Sequence, residues 1–270
     1  MCIRDRDRYF DIGVNLTHES FENDYKNVIE NAFKNSVDKI CLTGTSIEDS
    51  EKCIEITKKF HGNLISTVGI HPHYADNFDK SSKIVLKKLA LSENVKAIGE
   101  TGLDFNRNFS SKEKQIESFH AHIEIANDLN MPMFLHQRDA HKVFIECIND
   151  VKIKSKAVVH CFTGNISELE EYLNMDLFIG ITGWLCDPVR GKDLERAIVE
   201  IPLNKLMIET DSPYLLPKNL KVKGRRNEPK FLPEIFNKVV SLRSETLSLI
   251  HISEPTRQAE ISYAVFCLKK

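Results

Sequence analysis

Short apolar segments alternate with longer segments of helical periodicity from residue 9 to residue 242. Each apolar segment has the length of a β-strand and is apolar at most of its positions. The predicted strands lie at residues 9–16, 39–45, 64–70, 95–103, 132–136, 157–160, 177–181 and 206–211. The predicted helices lie at residues 25–35, 48–60, 82–91, 112–129, 140–148, from 167 onward, 192–200 and 232–242.

Strands that alternate regularly with helices predict an α/β fold with a parallel sheet. Strands that are apolar at most positions, without a polar face, indicate a sheet covered on both faces. Eight such repeats are typical of a (β/α)8 TIM barrel of the metal-dependent hydrolase type. A doubly wound open sheet is the alternative, but no GxGxxG motif follows the first strand.

Composition narrows the function classes without selecting one. The chain has 270 residues, 41% of them hydrophobic, which suffices for a full core. A formal charge of -2 excludes a polybasic protein but leaves nucleic acid open as a substrate, because a local cluster of basic residues can bind phosphate. The seven cysteines include no CxxC pair, and no apolar run is long enough to cross a membrane. We therefore predict a cytoplasmic protein without a membrane partner.

The two ends of the chain differ from the middle. Residues 1–6 and 248–270 resemble translated sequencing adapters, so we predict a non-native leader at residues 1–8, one domain at residues 9–247 and a non-native tail. An authentic terminal helix is the alternative, because periodicity does not exclude it. The barrel is then expected to be truncated at its C-terminal helix. A truncated product that misfolds is one alternative to a working enzyme.

Four predicted strands end in residues that commonly bind metals. Glu100, His136, His160 and Asp211 end the fourth, fifth, sixth and eighth strands. In a (β/α)8 barrel the carboxyl ends of all strands meet on one face, so we expect these side chains to converge. Two imidazoles and two carboxylates suit a divalent metal such as Mg²⁺, Mn²⁺ or Zn²⁺. Such a metal activates water, and Asp211 is the candidate that accepts the water's proton.

The loops beside these strand ends carry residues suited to phosphate. His71 and His73 flank a proline after the third strand, and Arg138 follows His136. A second arginine, Arg226, follows the eighth strand, and guanidinium groups bind phosphate through two parallel hydrogen bonds. Phe162 can stack on a nucleobase. The alternatives are ordinary: Phe162 belongs to the core, and Arg226 to a solvated surface.

Several longer motifs contain these residues. The chain resembles the TatD family of metal-dependent deoxyribonucleases, within the wider metal-dependent hydrolase barrels, from residue 9 to about residue 246. The matching motifs lie at residues 10–17, 69–73, 98–110, 131–140, 160–164, 180–184, 208–211 and 225–229.

The resemblance implies a Mg²⁺-dependent 3′→5′ exonuclease that acts as a monomer on the ends of single-stranded DNA or RNA, with a role in DNA repair. It implies metal ligation by Glu100, His136, His160 and Asp211. Catalysis is assigned to Asp211, Glu100, His71 and His73. Substrate binding is assigned to Asn15, Arg138, Phe162, Arg226 and Asn227.

One departure from the family pattern bears on the metal. Many members carry His-x-His on the first strand, where this chain has Gly13 and Asn15. We therefore expect one tightly bound metal and a weaker second one. Two rivals stay open: another metal-dependent hydrolase of the amidase or lactonase type, and a non-catalytic scaffold stabilised by metal.

Overall fold

The computed structural model describes residues 8–60 and 62–243. The predicted tail, all but the last residue of the predicted leader, and the last residues of the predicted domain lie outside this range. The strands are β1 Tyr9–Val14, β2 Val37–Leu42, β3 Leu64–Val68, β4 Val95–Asp104, β5 Met133–Arg138, β6 Ala157–Val159, β7 Phe178–Ile181 and β8 Leu206–Ile208.

Each strand is followed by a helix, as the sequence pattern predicts. The helices are α1 Tyr25–Lys34, α2 Ile47–Thr57, α3 Lys80–Ala90, α4 Lys112–Leu129, α5 His141–Val151, α6 Ile166–Asn174, α7 Lys192–Ala197 and α8 Leu232–Leu242. Short 3₁₀ helices lie at Glu19–Phe21, Pro72–Asn77, Gly183–Cys186, Leu203–Lys205 and Pro229–Phe231. Among the described residues, no helix is both long enough and apolar enough to cross a membrane.

The eight strands form one sheet in which they lie in chain order from β1 to β8. The segment after β8 runs parallel to β1, because Val14 pairs with Ser212 and the Asn15 N–H donates to the Ser212 carbonyl at 2.8 Å. Parallel strands in sequential order, each followed by a helix, make a (β/α)8 barrel. The predicted fold is confirmed.

Residue contacts divide the described chain into two units. The first unit contains residues 8–41, 161–173 and 179–243, and the second contains residues 42–160 and 174–178. In the second unit, the rings of Phe119 and Phe144 are stacked with centroids 5.1 Å apart, and both side chains are fully buried. In the first unit, the Arg243 guanidinium closes the segment after α7 by donating to the carbonyls of Ile198 and Ile201 at 2.7 Å.

Polar side chains fix where the helices of the second unit begin. Ser46 caps α2 by accepting the Asp49 N–H, and Ser111 caps α4 by accepting the Lys114 N–H. Such caps satisfy amide groups that have no partner inside the helix. At its other end α4 stops at Asn130, which has the left-handed φ of 49°. Because α4 is the next helix after β4, the Ser111 cap fixes where the β4–α4 loop ends.

Candidate active site

Strand β4 approaches its neighbour β5 unusually closely on either side of Glu100. Gly99 and Gly102 have φ values of 142° and 140°. A Cβ atom at Gly99 would lie 2.1 Å from the Phe134 carbonyl oxygen, and one at Gly102 would lie 2.0 Å from that of His136. Only glycine fits at these two positions. The glycines therefore allow β4 to place Glu100 directly beside β5.

The Glu100 carboxylate is the centre of a buried cluster of imidazoles. Its Oε1 lies 2.8 Å from His160 Nε2, 2.9 Å from His136 Nδ1 and 3.3 Å from His71 Nε2. The two imidazole nitrogens of His136 and His160 are themselves 3.1 Å apart. The ends of β4, β5 and β6 thus converge as the sequence predicts, and His71 joins them from the loop after β3.

Protons alone cannot satisfy the triangle of Glu100 Oε1, His136 Nδ1 and His160 Nε2. If both nitrogens donate to the carboxylate, two donors face each other across the third edge. If one nitrogen carries no proton, its edge to the carboxylate has no donor. A cation that accepts a lone pair from each atom satisfies all three. The edges of 2.8–3.1 Å are short enough for all three atoms to contact one divalent cation.

The charges of Glu100 and His71 suit a bound cation. Although burial would lower the pKa of His136, the carboxylates of Asp104 and Glu100 raise it. Burial alone would raise the pKa of Glu100, but the adjoining His160 and His71 and the hydrogen bond from His136 hold it well below its usual range. Burial lowers the pKa of His71 to about 4, despite the opposing attraction of Glu100. Near neutral pH, Glu100 is therefore an anion and His71 a neutral imidazole, so the pair carries a negative charge that attracts a divalent metal. Ligand atoms of His71, Glu100 and His136 all lie within 4.8 Å of one another.

Asp104 is a further buried carboxylate in this cluster that the sequence analysis did not select. Its Oδ2 lies 2.7 Å from His73 Nε2 and 3.6 Å from His136 Nε2. Burial would raise the pKa of Asp104, but the neighbouring His136 and His73 lower it strongly, so the carboxylate is ionised. The sequence could have indicated Asp104, because it lies four residues after Glu100 on the same strand and alternate side chains of a strand share a face.

Asp211 lies in the first unit, immediately after β8. Its Oδ1 accepts a hydrogen bond of 2.9 Å from the Asn15 side-chain amide, and its N–H donates to the Gly13 carbonyl. The predicted strand 206–211 ends early, at Ile208, and Asp211 itself takes a left-handed φ of 53°, outside the extended conformation. Asn15 thus orients the Asp211 carboxylate. The predicted contact between Asn15 and the substrate stays a prediction.

Two residues expected to contact the substrate are buried. Phe162 is only 3% exposed, and its ring lies edge-on to Tyr172 with centroids 6.0 Å apart. Asn227 is fully buried, and its amide donates to the Thr210 carbonyl at 2.9 Å. Both side chains pack inside the first unit, as the core alternative for Phe162 expects, and their contact with a nucleotide stays a prediction.

The two predicted arginine contacts differ in their surroundings. Arg226 donates to both Asp24 oxygens, at 2.7 and 3.0 Å, and to Glu228 at 3.0 Å. The hydrogen bond with Asp24 raises the pKa of Arg226. A phosphate would therefore have to compete with two carboxylates for this guanidinium. Arg138 is half-buried at the end of β5, where it pairs in register with Asp104, and its contact with phosphate stays a prediction.

A (β/α)8 barrel with imidazoles and carboxylates at its strand ends defines the class of metal-dependent hydrolases. Comparison with known families gives the particular member of this class. The TatD related DNase family matches residues 10–254, and the chain belongs to this family.

Relatives of known function agree with this assignment. The protein named 3'-5' ssDNA/RNA exonuclease TatD from Yersinia pseudotuberculosis is 46% identical over 239 residues, which cover 87% of this chain and 92% of the relative. The protein of the same name from Escherichia fergusonii is 41% identical and covers 92% of this chain and 96% of its own length. The predicted family and the nuclease class of the enzyme are confirmed.

Solved structures agree on the fold. A hydrolase of the TatD family from Entamoeba histolytica has a TM-score of 0.86 at 27% identity, over 97% of this chain and 99% of that chain. A TatD homologue from Escherichia coli K12 has the same TM-score at 23% identity and the same coverage, and it supports the fold alone. The family and the histidine–carboxylate cluster together indicate a divalent metal site.

Proposed function

We propose that this chain is a metal-dependent exonuclease that removes nucleotides from the 3′ ends of single-stranded DNA and RNA, with Mg²⁺ as its metal. The triangle of Glu100, His136 and His160 carries the proposal, because it is a metal-ligand set in a chain 46% identical to a relative named for this activity. A role in DNA repair, a cytoplasmic location and a monomeric state belong to the same proposal.

The residues that would hold the metal are Glu100, His136 and His160, and Asp211, which follows β8, is predicted as a fourth ligand. When bound, the metal supplies a water of lowered pKa and neutralises charge on the phosphodiester. Asp211 is oriented by the Asn15 amide at 2.9 Å and accepts the proton of the attacking water. On the far side of His136, its Nε2 lies 3.6 Å from the Asp104 carboxylate, a distance at which charge attraction acts without a hydrogen bond.

Hydrogen bonds set the tautomers of the two histidines in the loop after β3. The ionised Asp104 accepts from His73 Nε2, so that nitrogen carries a proton and Nδ1 is left to exchange a proton with the substrate. His71 Nδ1 accepts the His73 backbone N–H at 3.1 Å, which places the proton of His71 on Nε2, facing Glu100. We therefore assign proton transfer to the leaving group to His73. His71 holds the Glu100 carboxylate in place through the proton on its Nε2. Arg138 holds the phosphate beside them.

The amidase or lactonase rival has little support. A dihydroorotase from Campylobacter jejuni has a TM-score of 0.59 at 15% identity, which reflects the shared barrel alone. First-strand imidazoles would serve a second metal in such enzymes, and Gly13 and Asn15 occupy those positions. Family membership favours phosphodiester cleavage instead.

Degradation of end-labelled oligonucleotides tests the proposal. Single-stranded DNA and RNA labelled at the 3′ or the 5′ end are incubated with Mg²⁺ or with a chelator. We expect metal-dependent release of the 3′ label first. We also expect a loss of about 100-fold or more in Glu100→Ala, since changing even an outer-sphere partner of a metal ligand commonly costs about 10–100-fold.

Glu93→Ala is the matched control, because Glu93 is an exposed carboxylate just before β4. It should leave the rate unchanged. Activity that survives the chelator, or release that starts from the 5′ end, would contradict the proposed function. Equal loss in both variants would instead indicate damage to the fold around β4.

A further inference from the structure

Two large aromatic side chains are exposed directly beside the histidine cluster. Phe109 is 64% exposed, and its ring meets His73 edge-on with centroids 4.8 Å apart. Tyr74 is 48% exposed, and its ring lies edge-on to His71 at 6.5 Å. Exposed apolar surface that is grouped beside a site commonly marks a place where a ligand binds. Both rings lie next to the imidazoles assigned to catalysis.

The loop that carries Phe109 is held rigidly on one side by Asp104. The Asp104 Oδ1 accepts the backbone N–H groups of Asn106 and Arg107 at 3.0 and 2.9 Å. Asn108 has a left-handed φ of 50°, and its side chain donates to the Phe105 carbonyl at 2.7 Å. The turn is thus closed immediately before Phe109, and little backbone freedom remains to be lost when a ligand binds.

The other side of this loop is tied to the segment that carries His73 and Tyr74. The Ser110 hydroxyl donates to the His73 carbonyl at 3.0 Å and accepts the Asp76 N–H at 3.1 Å. The Asp76 carboxylate in turn accepts the Ser111 N–H at 3.1 Å. The two backbone segments that carry the exposed rings are therefore hydrogen-bonded to each other. A fixed backbone lowers the entropic cost of binding.

Arg107 adds a positive charge to the same loop. Its side chain is exposed, and its guanidinium forms no ion pair with any residue in the described part of the chain. This differs from Arg226, which is occupied by two carboxylates. An arginine two residues from an exposed aromatic ring offers phosphate binding next to base stacking, the combination used for single-stranded nucleic acids.

We propose that Phe109 and Tyr74 form a stacking platform for the bases next to the cleaved bond, and that Arg107 binds a phosphate of the same strand. The inference rests on the proposed function and adds the residues that select unpaired ends. A base can lie flat on such a ring only when it is unpaired or splayed from a helix, so the platform favours single strands over duplexes. The chemistry recognised is a nucleobase of any sequence, flanked by a phosphodiester.

The test compares Phe109→Ala with Phe109→Trp and with Ile84→Ala as the matched control. Ile84 is 72% exposed on α3 of the same unit, outside the loop. On a single-stranded oligonucleotide we expect Phe109→Ala to raise KM about tenfold with little change in kcat, which is the size of one lost base–aromatic stack. Phe109→Trp should restore KM, and Ile84→Ala should not change it. Tyr74→Ala should repeat the effect at smaller size.

Two substrates separate stacking from a merely structural effect. If the terminal nucleotides are abasic, the wild type and Phe109→Ala should have the same KM. A 2-aminopurine base at the 3′ end should lose fluorescence on binding to the wild type in the presence of chelator, and this quenching should be absent in Phe109→Ala.

The outcomes are distinct from those for the proposed function. If the wild type degrades the oligonucleotide and Phe109→Ala matches it in KM and in quenching, the platform is wrong and the nuclease assignment stands. If the wild type degrades nothing, the nuclease assignment is wrong. The stacking platform is then still tested by 2-aminopurine quenching, which supports it if the wild type shows quenching and Phe109→Ala does not. A KM change of equal size on abasic ends would also overturn the inference.

Discussion

At the scale of single residues, Asp11 has the most unusual environment in the first unit. It is fully buried on β1, and its carboxylate accepts from the Thr210 N–H at 2.9 Å and from the Thr210 hydroxyl at 2.6 Å. Burial raises the pKa of Asp11 to about 8, against the opposing hydrogen bonds from Thr210. Because Thr210 precedes Asp211, Asp11 supports the backbone that positions the proposed fourth ligand.

This carboxyl should make stability depend on pH. The pKa of Asp11 is 3.8 in the unfolded chain and about 8 in the folded one, so between these values the native state holds the extra proton. Stability from this group is therefore complete below about pH 4 and is lost as the pH rises toward 8. The variant Asp11→Asn does not titrate. We expect its deficit in unfolding free energy to be largest near pH 5 and to shrink toward pH 8.

Urea unfolding at several pH values between 5 and 8, in chelator so that metal binding does not contribute, measures this deficit. Asp193→Asn is the control, because Asp193 is 75% exposed on α7 and should show no such trend. A deficit for Asp11→Asn that is constant over this pH range would contradict a raised pKa.

At the scale of elements, the close contact of β4 with β5 is the feature on which the site depends. Gly102 has a φ of 140°, and a Cβ there would lie 2.0 Å from the carbonyl oxygen of His136. Gly102→Ala should therefore combine backbone strain with displacement of a proposed metal ligand. We expect a loss of about 2–4 kcal/mol in unfolding free energy, together with weaker metal binding.

Gly62→Ala separates the two causes. Gly62 also has a positive φ, of 81°, but a Cβ there would meet nothing within 4 Å. The free energy of unfolding of Gly62→Ala should fall by the backbone strain alone, about 1 kcal/mol, and its metal affinity should not change. Chemical denaturation and metal titration of both variants provide the comparison. Equal effects in the two variants would show that contact with β5 is unimportant.

The same elements show what the sequence could predict. Glu100, His136 and His160 were predictable because each follows a short apolar run, and the carboxyl ends of parallel strands meet on one face. Asp104 was missed because β4 continues past Glu100, and this second acidic side chain comes four residues later. The burial of Phe162 and Asn227 was not predictable, since it depends on contacts with residues distant in sequence. Local pattern therefore predicts strand ends better than it predicts the packing of the loops after them.

At the scale of the whole molecule, the repeat of strand and helix predicted the barrel because each repeat carries the same local signal. The predicted nuclease reaction depended on the four predicted metal ligands and on the sequence motifs. Membership of the family supports the nuclease class more directly than the fold does. A phosphotriesterase homology protein at 9% identity and a dihydroorotase at 15% identity have the same barrel fold as this chain. The fold alone thus leaves the reaction open, and the site must select it.

Metal binding should be visible in the stability of the whole chain. A ligand that binds only the folded state stabilises it by about 2.7 kcal/mol at one hundred times its Kd. For a domain of this size, that corresponds to a rise in Tm of about 5–10 °C. We expect Mg²⁺ or Mn²⁺ to produce such a shift and chelator to reverse it.

The variants decide where that metal binds. Glu100→Ala should abolish the shift, because it removes the atom that His71, His136 and His160 all face. Phe109→Ala should keep it, because its ring contacts His73 and not the proposed ligands. A shift retained in Glu100→Ala would place the metal elsewhere and remove the main support for the proposed mechanism. A shift lost only in that variant, with substrate affinity lost only in Phe109→Ala, would separate metal binding from strand binding in one molecule.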